Sequence, residues 1–549
     1  MLRAGRQAGP ELMNSLRWLD AAAVVLYLAV TAYIGFRFAR RQTSTETYFV
    51  ARRAVPHWAM GISVFATLIS SITFIAYPGS SYAGNWSELV PGFMVIGVLL
   101  LAGAIIIPFF RHAVGMSAYE YFGKRFGYGA RAYTGLAFTA GHFSKMGFVL
   151  YLLALTGSRM TGISVYWLIL AVGVVTILYT LVGGLEAVIW TDVIQGIVMW
   201  IGIIVILGFL CYLMPGGIGA AFNLAWENKK FSLGSTRLDF GSRTNFWVMS
   251  LYGFFWYLQK YSADQTVVQR YLVAKSDRDA LKGVALGALL CMPVWTLFML
   301  IGTLVWSYYQ LSGETFPADI MAASGKVMAD QVFPHFLVTK IPAGVAGLFI
   351  AALFAAGMST LSADLNCLSA VGVEDYYRKL RPDSPDRRRL SVGKFIVGVC
   401  GLLAVGIAVL IAWKSERVLS LYYAVSSIIS GGLAGLFLLA FFSRRANKQG
   451  LWVGIVANLV FTAWATLTSG KNKMFDLTFD FGDFNYQWSG VMIGVVGHLI
   501  VLGVGYAASW CFPADELTKK EWTIWGWLQK RKELAAAGQA STSAGGDAV

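Results

Sequence analysis

Charge is scarce in this chain. Only 13% of its 549 residues are Asp, Glu, Lys or Arg, against roughly a quarter in a soluble protein. So few charges cannot cover the water-exposed surface that a soluble chain of this length would need. A cytosolic enzyme and a disordered chain are both excluded. Cysteine is also rare. Cys211, Cys291, Cys367, Cys400 and Cys511 are odd in number, irregularly spaced and set in apolar stretches, which excludes a secreted disulfide scaffold and offers no metal-binding spacing. The five histidines form no HxxxH or HExxH pattern. A GxxxxGK[ST] loop is absent from the sequence, which disfavours ATP-driven transport. The longest loops run to about 30 residues, too short for a soluble domain. Catalytic and organic-cofactor motifs are missing as well, and no enzymatic activity is expected.

Hydrocarbon is what the chain has in excess, at 57% hydrophobic residues. About thirteen apolar runs reach spanning length. They cover 18–38, 57–83, 89–110, 130–155, 162–182, 187–214 and 245–263, then 281–309, 342–371, 395–413, 418–442, 451–468 and 490–511. In lipid each must be helical, because an unpaired backbone group there costs several kcal/mol. The first run is followed by no small-residue cleavage site, so it reads as a span and not as a signal peptide. This is an all-α polytopic membrane protein with a single transmembrane domain. Its helical core covers about 57–442, the runs 18–38, 451–468 and 490–511 are peripheral, and the tail of about 533–549, rich in Ala, Ser and Gly, is disordered.

The formal charge of +15 sits between the runs and sets orientation; it does not form a nucleic-acid patch. Loops after odd-numbered runs carry Arg40, Arg41, Arg52 and Arg53, then Arg111, Lys124 and Arg125, then Arg270, Lys275 and Arg278. Arg378, Lys379, Arg381, Arg387, Arg388, Arg389, Arg444, Arg445 and Lys448 follow, with Lys519, Lys520, Lys530, Arg531 and Lys532 in the tail. The positive-inside rule puts these in the cytoplasm, the N-terminus outside and the C-terminus inside, with Arg3, Arg6 and Arg17 as a small opposing group. The localisation expected is the plasma (inner) membrane.

Several runs carry polar residues that spanning alone does not need. The second run clusters Ser70, Ser71 and Thr73, followed about a turn later by Pro78-Gly79. Proline removes a backbone hydrogen bond and glycine weakens a helix, so this run is expected to unwind in mid-membrane and free carbonyls for a cation. The ninth run has adjacent hydroxyls at Ser359 and Thr360. Hydroxyls from one helix and carbonyls from a broken one suit sodium, a hard cation. Lys145 lies deep in the fourth run and Asp192 a short way inside the sixth. Such charges face a cavity or a partner, giving Lys145 the role of counter-charge for an anionic substrate and Asp192 that of a cation ligand or proton relay. Lys260, near the end of its run, is expected to snorkel.

Three motifs carry a resemblance. The stretch from Gly183-Gly184-Leu185-Glu186 through Trp190-Thr191-Asp192 to Gln195, the segment Asp264-Gln265 leading into Val268-Gln269-Arg270-Tyr271-Leu272, and Tyr48-Phe49-Val50-Ala51-Arg52-Arg53 resemble the sodium/solute symporters, the group of the sodium–glucose, proline, monocarboxylate and sialic acid cotransporters. The resemblance implies a LeuT-type core of two inverted five-helix repeats, runs two to six and seven to eleven. It implies a sodium (Na+) site at the carbonyls of Ala66, Ile69 and Ala356 and the hydroxyls of Ser359 and Thr360, with Asp192 a candidate for a second sodium. Where sugar-transporting members carry amide and acidic side chains, this chain has Leu68, Thr73, Gly92 and, on run eleven, Ala424 or a neighbour. That would leave sugar hydroxyls unpaired. Ser70 and Thr73 fall where sialic acid carriers place hydroxyls, and Lys145 falls where they have an Arg for the substrate carboxylate. The expectation is a sodium-coupled importer of a small organic anion, sialic acid-like or a monocarboxylate, working by alternating access. Phe74, Tyr252 and Tyr261 are its candidate aromatic gates. Sugar, amino-acid or vitamin symport and proton coupling through Asp192 are the alternatives. A channel's repeated filter and a sensor's output domain are absent from the sequence.

Overall fold

The structure is a computed structural model describing residues 18–38, 41–321, 325–413, 428, 431–469, 479–513 and 520–533. Ala424, Arg3, Arg6, Arg17, Arg40, Lys519 and the tail beyond 533 lie outside them. Helix α1 is Trp18–Arg37, α2 His57–Leu68, α3 Ser71–Ala83, α4 Val90–Ala113, α5 Tyr128–Thr161 and α6 Val165–Tyr212. Helices α7 Phe246–Ser262, α8 Gln265–Leu272, α9 Asp277–Ser312, α10 Ala329–Lys340, α11 Val345–Val371 and α12 Asp386–Ala412 follow. The last are α13 Leu433–Phe442, α14 Lys448–Thr468, α15 Val491–Cys511 and α16 at 524–533. Nine helices among the described residues are long and apolar enough to cross a membrane, and a tenth span is the bent pair α2–α3.

Three breaks organise the bundle. Helices α2 and α3 meet at 58° across Ile69 and Ser70, both extended (ψ 124° and 171°). The expected unwinding of the second run is found there, beside Ala66 and Ile69, while Pro78 lies inside α3, which stays helical. Helix α6 has 48 residues, about 72 Å at 1.5 Å per residue, far beyond the roughly 30 Å of hydrocarbon. It turns at Gly184, whose φ of 59° and ψ of −161° suit only glycine. Runs five and six are thus two spans with no loop between them. Run seven does not stop at Ala263: α8 continues it after a break at Ala263-Asp264, where the Asp264 carboxylate accepts from Thr266 N–H at 2.9 Å. The first span of each expected repeat, α2–α3 and α7–α8, is therefore broken.

Small residues let the helices approach closely. A Cβ on Gly61 of α2 would stand 2.8 Å from the Gly283 carbonyl of α9, and one on Gly283 would stand 2.7 Å from the His57 carbonyl. The peripheral α1 is fixed by Asp20, whose Oδ1 accepts from Gly344 N–H (2.6 Å) and Gly347 N–H (2.7 Å). A carboxylate on those free amides favours the N-terminus of α11 electrostatically.

Candidate functional site

The broken α2–α3 span meets α11 at a cluster of oxygens. Ser359 Oγ on α11 donates to the carbonyl of Ala66 in the last turn of α2 at 2.9 Å, and lies 3.1 Å from the carbonyl of Ala356. Thr360 Oγ1 donates to that same Ala356 carbonyl at 3.0 Å. Ile69 lies in the extended break three residues beyond Ala66. Ala66, Ile69, Ala356, Ser359 and Thr360 are all buried. Four of the five expected sodium ligands are thus joined directly, and the fifth occupies the unwound backbone. No full charge is part of the set.

Asp192 is close by but already committed. Its Oδ2 accepts from Ser63 Oγ (2.6 Å) and from Arg270 Nη2 (2.9 Å), and Arg270 Nε also donates to Ser63 Oγ at 2.9 Å. Arg270 is fully buried on α8, which corrects its reading as a cytoplasmic loop residue. Asp192 Oδ1 is buried with no hydrogen-bond partner among the described residues. One carboxylate oxygen is therefore saturated and the other remains open for a ligand.

The deep lysine is paired too. Lys145 Nζ lies 2.9 Å from the Asp364 carboxylate of α11. His142, one turn earlier on α5, bridges two acids, with Nδ1 at 2.8 Å from Asp364 Oδ1 and Nε2 at 3.3 Å from Asp264 Oδ2. Asp264 also holds Lys260 in an ion pair. Lys260 is buried, so the snorkelling expected of it is not found: its carboxylate partner lies inside the bundle, one helical turn away. The cluster thus joins two lysines and a histidine to two carboxylates.

The expected substrate residues divide. Ser70 and Thr73 form the first turn of α3, where Thr73 Oγ1 accepts from Ser70 N–H at 3.4 Å. Their neighbour Ser71 donates to the Val149 carbonyl of α5 at 3.2 Å, one helical turn beyond Lys145, so the start of α3 and the lysine share one region. Phe74 is fully buried between Phe298 (4.5 Å between ring centres) and Phe349 (5.5 Å). Tyr252, in the second turn of α7, faces Trp256 at 5.9 Å. Tyr261 is enclosed in the last turn of α7, its carbonyl accepting from Tyr271 Oη at 3.1 Å. On the face away from the basic loops, a cavity of about 430 Å³ lined by Ile75, Thr156, Arg159, Asp330 and Gln331 opens between α3, α5 and α10.

Sequence reasoning missed Asp364, His142 and the role of Asp264. Asp364 and Asp264 were both visible as carboxylates beside apolar segments, which was the available signal. The quoted motifs have structural reasons. Tyr48 Oη donates to the carbonyls of Thr180 (3.2 Å) and Leu181 (3.1 Å), and a Cβ on Gly184 would stand 2.7 Å from the Tyr48 ring. Gln265 Nε2 donates to the Met116 carbonyl (2.6 Å) and Gln269 Nε2 to that of Phe49 (2.8 Å), anchoring α8.

Comparison with known proteins identifies the family. The sequence model described as "Sodium:solute symporter family" matches residues 48–457. The chain belongs to the sodium:solute symporter family. Sodium-coupled symport of a small solute is the activity that membership carries. Among characterised symporters, the sodium/sialic acid symporter of Aliivibrio fischeri is 32% identical, over 90% of this chain and 93% of that one. The sodium/sialic acid symporter of Proteus mirabilis is 32% identical over 84% and 92%. A solved Na+-coupled sialic acid symporter, substrate-bound and outward-open, superposes with a TM-score of 0.80 at 30% identity, covering 90% of this chain and 98% of that one. The symporter core is of the LeuT type, and at 16% identity the likeness to the nucleobase-cation symporter Mhp1 (TM-score 0.53, covering 88% of this chain and 99% of that one) is one of fold alone.

Proposed function

We propose that this symporter uses the sodium gradient to import a small organic anion of the sialic acid or monocarboxylate class across the plasma (inner) membrane, with the basic face cytoplasmic, the N-terminus outside and the C-terminus inside. One observation carries the sodium assignment: Ser359 Oγ of α11 lies 2.9 Å from the Ala66 carbonyl that ends α2. An ion taking Ala66, Ile69, Ala356, Ser359 and Thr360 as ligands would tie the broken span to α11 and stabilise the outward-open state. The open Oδ1 of Asp192 supports a second sodium. Substrate would bind beside the first turn of α3, at Ser70 and Thr73, and sodium and substrate would raise each other's affinity by the same factor.

The anion assignment is supported by charge. Lys145 stands one helical turn before Val149, whose carbonyl accepts from Ser71 at the start of α3, so its ammonium lies beside the proposed substrate position. Lys145 is the exposed member, its side chain 28% accessible while that of Asp364 is closed off. A sugar site is disfavoured at Gly92, where even a Cβ would stand 2.8 Å from the Trp295 ring. The two sialic acid symporter relatives point the same way.

The test is uptake into proteoliposomes of radiolabelled sialate, lactate, pantothenate, proline and glucose. Uptake of a carboxylate, abolished when choline replaces sodium at constant pH, is the expected result. Uptake that persists under a proton gradient without sodium would replace the coupling ion. Preference for glucose or proline would remove the anion assignment.

A further inference from the structure

A groove of about 460 Å³ runs between α4 and α9 on the outside of the bundle. Its walls are apolar: Leu99, Gly103 and Ile107 of α4 stand across from Leu281, Ala288 and Met292 of α9. These are the second helices of the two repeats, and they are antiparallel. Along α9 the groove extends from Leu281 to Met292, about 17 Å of helix at 1.5 Å per residue. Ile96, Leu100 and Leu289 on its rim are exposed.

Its end at the basic face is chemically different. Lys282 follows Leu281, and Arg278 lies one turn earlier on the same stripe; both are exposed. A third cation arrives from α16, where Arg531 Nη1 donates to the carbonyl of Ala104, itself a groove residue, at 3.2 Å. None of the three is ion-paired with an acid among the described residues. The adjacent Asp277 is held by Arg111 (2.7 Å) and His112 (3.3 Å), and Asp279 faces His57 (3.7 Å). Helix α16 is itself interfacial in character: Trp527 is buried against Phe109 and His112 (5.8 and 5.3 Å), while Trp525, Leu528, Lys530, Arg531 and Lys532 stay exposed.

We propose that this groove is a binding site for an anionic phospholipid of the surrounding bilayer. One acyl chain lies along α4 and α9, and the phosphate diester is held by Arg278, Lys282 and Arg531. A zwitterionic headgroup would set its own cation against these three. A bare apolar cleft would take any chain; the cations at one end select the anionic lipid, as basic pockets between helices at the cytoplasmic surface do. The lipid would brace the paired second helices against each other and against α16.

The full chain in nanodiscs of phosphatidylcholine with added phosphatidylglycerol, followed by native mass spectrometry of retained lipid, tests this. Phosphatidylglycerol should be retained in preference, and the preference should fall on the order of fivefold for each cation removed in R278Q, K282Q and R531Q. It should also weaken as salt rises in the wild type, a readout independent of any variant. Gly103→Leu should reduce retention of both lipids; its Cβ would stand 3.4 Å from Leu281 Cδ2, an ordinary contact. Equal retention of the two lipids, or a preference unchanged in the triple variant, overturns the proposal. A dimer that Gly103→Leu abolishes would assign the groove to a second copy and overturn it too.

Discussion

Arg270 and Asp192 form an ion pair with both side chains fully closed to solvent, 2.9 Å between Nη2 and Oδ2. The pair joins α8, the second half of a broken span, to α6, and Ser63 of α2 bonds both partners. Removing one partner leaves the other charge buried without compensation, an effect of about 3–5 kcal/mol. Asp192→Asn should therefore lower the thermal unfolding midpoint of the detergent-solubilised protein sharply. Ser63→Ala should lower it less, because the ion pair itself remains. Equal midpoints for wild type and Asp192→Asn would show that the pair contributes nothing to holding α8 in place.

The sodium cluster makes a separate prediction. Ser359→Ala or Thr360→Ala removes one hydroxyl ligand and no charge. A hydrogen bond or ligand contact to a charged group is worth about 1.5–3 kcal/mol, so the sodium concentration for half-maximal uptake should rise about tenfold or more. Saturating sodium should restore most of the maximal rate. An unchanged sodium dependence in both variants would place the ion elsewhere.

Much of this architecture could be read from composition and spacing. Apolar length alone marks the spans, because hydrocarbon leaves the backbone no other conformation. The hydroxyls Ser359 and Thr360 were legible because they interrupt an apolar helix. The break beside Ala66 and Ile69 was legible only through the resemblance, because no breaker residue stands at Ile69-Ser70, while Pro78, the residue that weakens a helix by itself, stays helical. Arg270 was misread because a charged residue at the end of an apolar run looks like a loop, and only the folded chain brings Asp192, 78 positions away, to meet it. Lys145 was visible as an anomaly, but its partner Asp364 lies 219 positions away, beyond any local pattern.

Outside the membrane spans, Lys230 makes a pH-dependent contact. Its Nζ donates to the carbonyls of Tyr82 (2.7 Å) and Gly84 (2.9 Å) at the end of α3 and lies 4.7 Å from the Trp306 ring centre. Burial pushes its ammonium down to about 8, against about 10.4 for a free lysine. Between these values the unfolded chain binds more protons than the folded one, so stability from this group rises with pH. It is fully present only above about 10.4 and is lost as pH falls through about 8. The wild-type unfolding midpoint should thus gain on that of Lys230→Met across this window. Parallel pH profiles for the two proteins would contradict it.

The last prediction concerns Lys145, where substrate and fold compete for one charge. In the folded chain its ammonium serves Asp364, and His142 Nδ1 meets the same carboxylate. Losing Lys145 leaves Asp364 with the His142 hydrogen bond alone, so Lys145→Gln should lower the unfolding midpoint. If the lysine also meets the substrate carboxylate, the same variant should raise KM for an organic acid about tenfold or more, since hydrogen bonds to charged groups are worth about 1.5–3 kcal/mol, and leave the KM of its uncharged ester or amide nearly unchanged. Lys145→Arg keeps the charge and should retain most of the affinity. A purely structural lysine would lower the transport rate for acid and ester alike without separating their KM values, and that result would remove Lys145 from the substrate site.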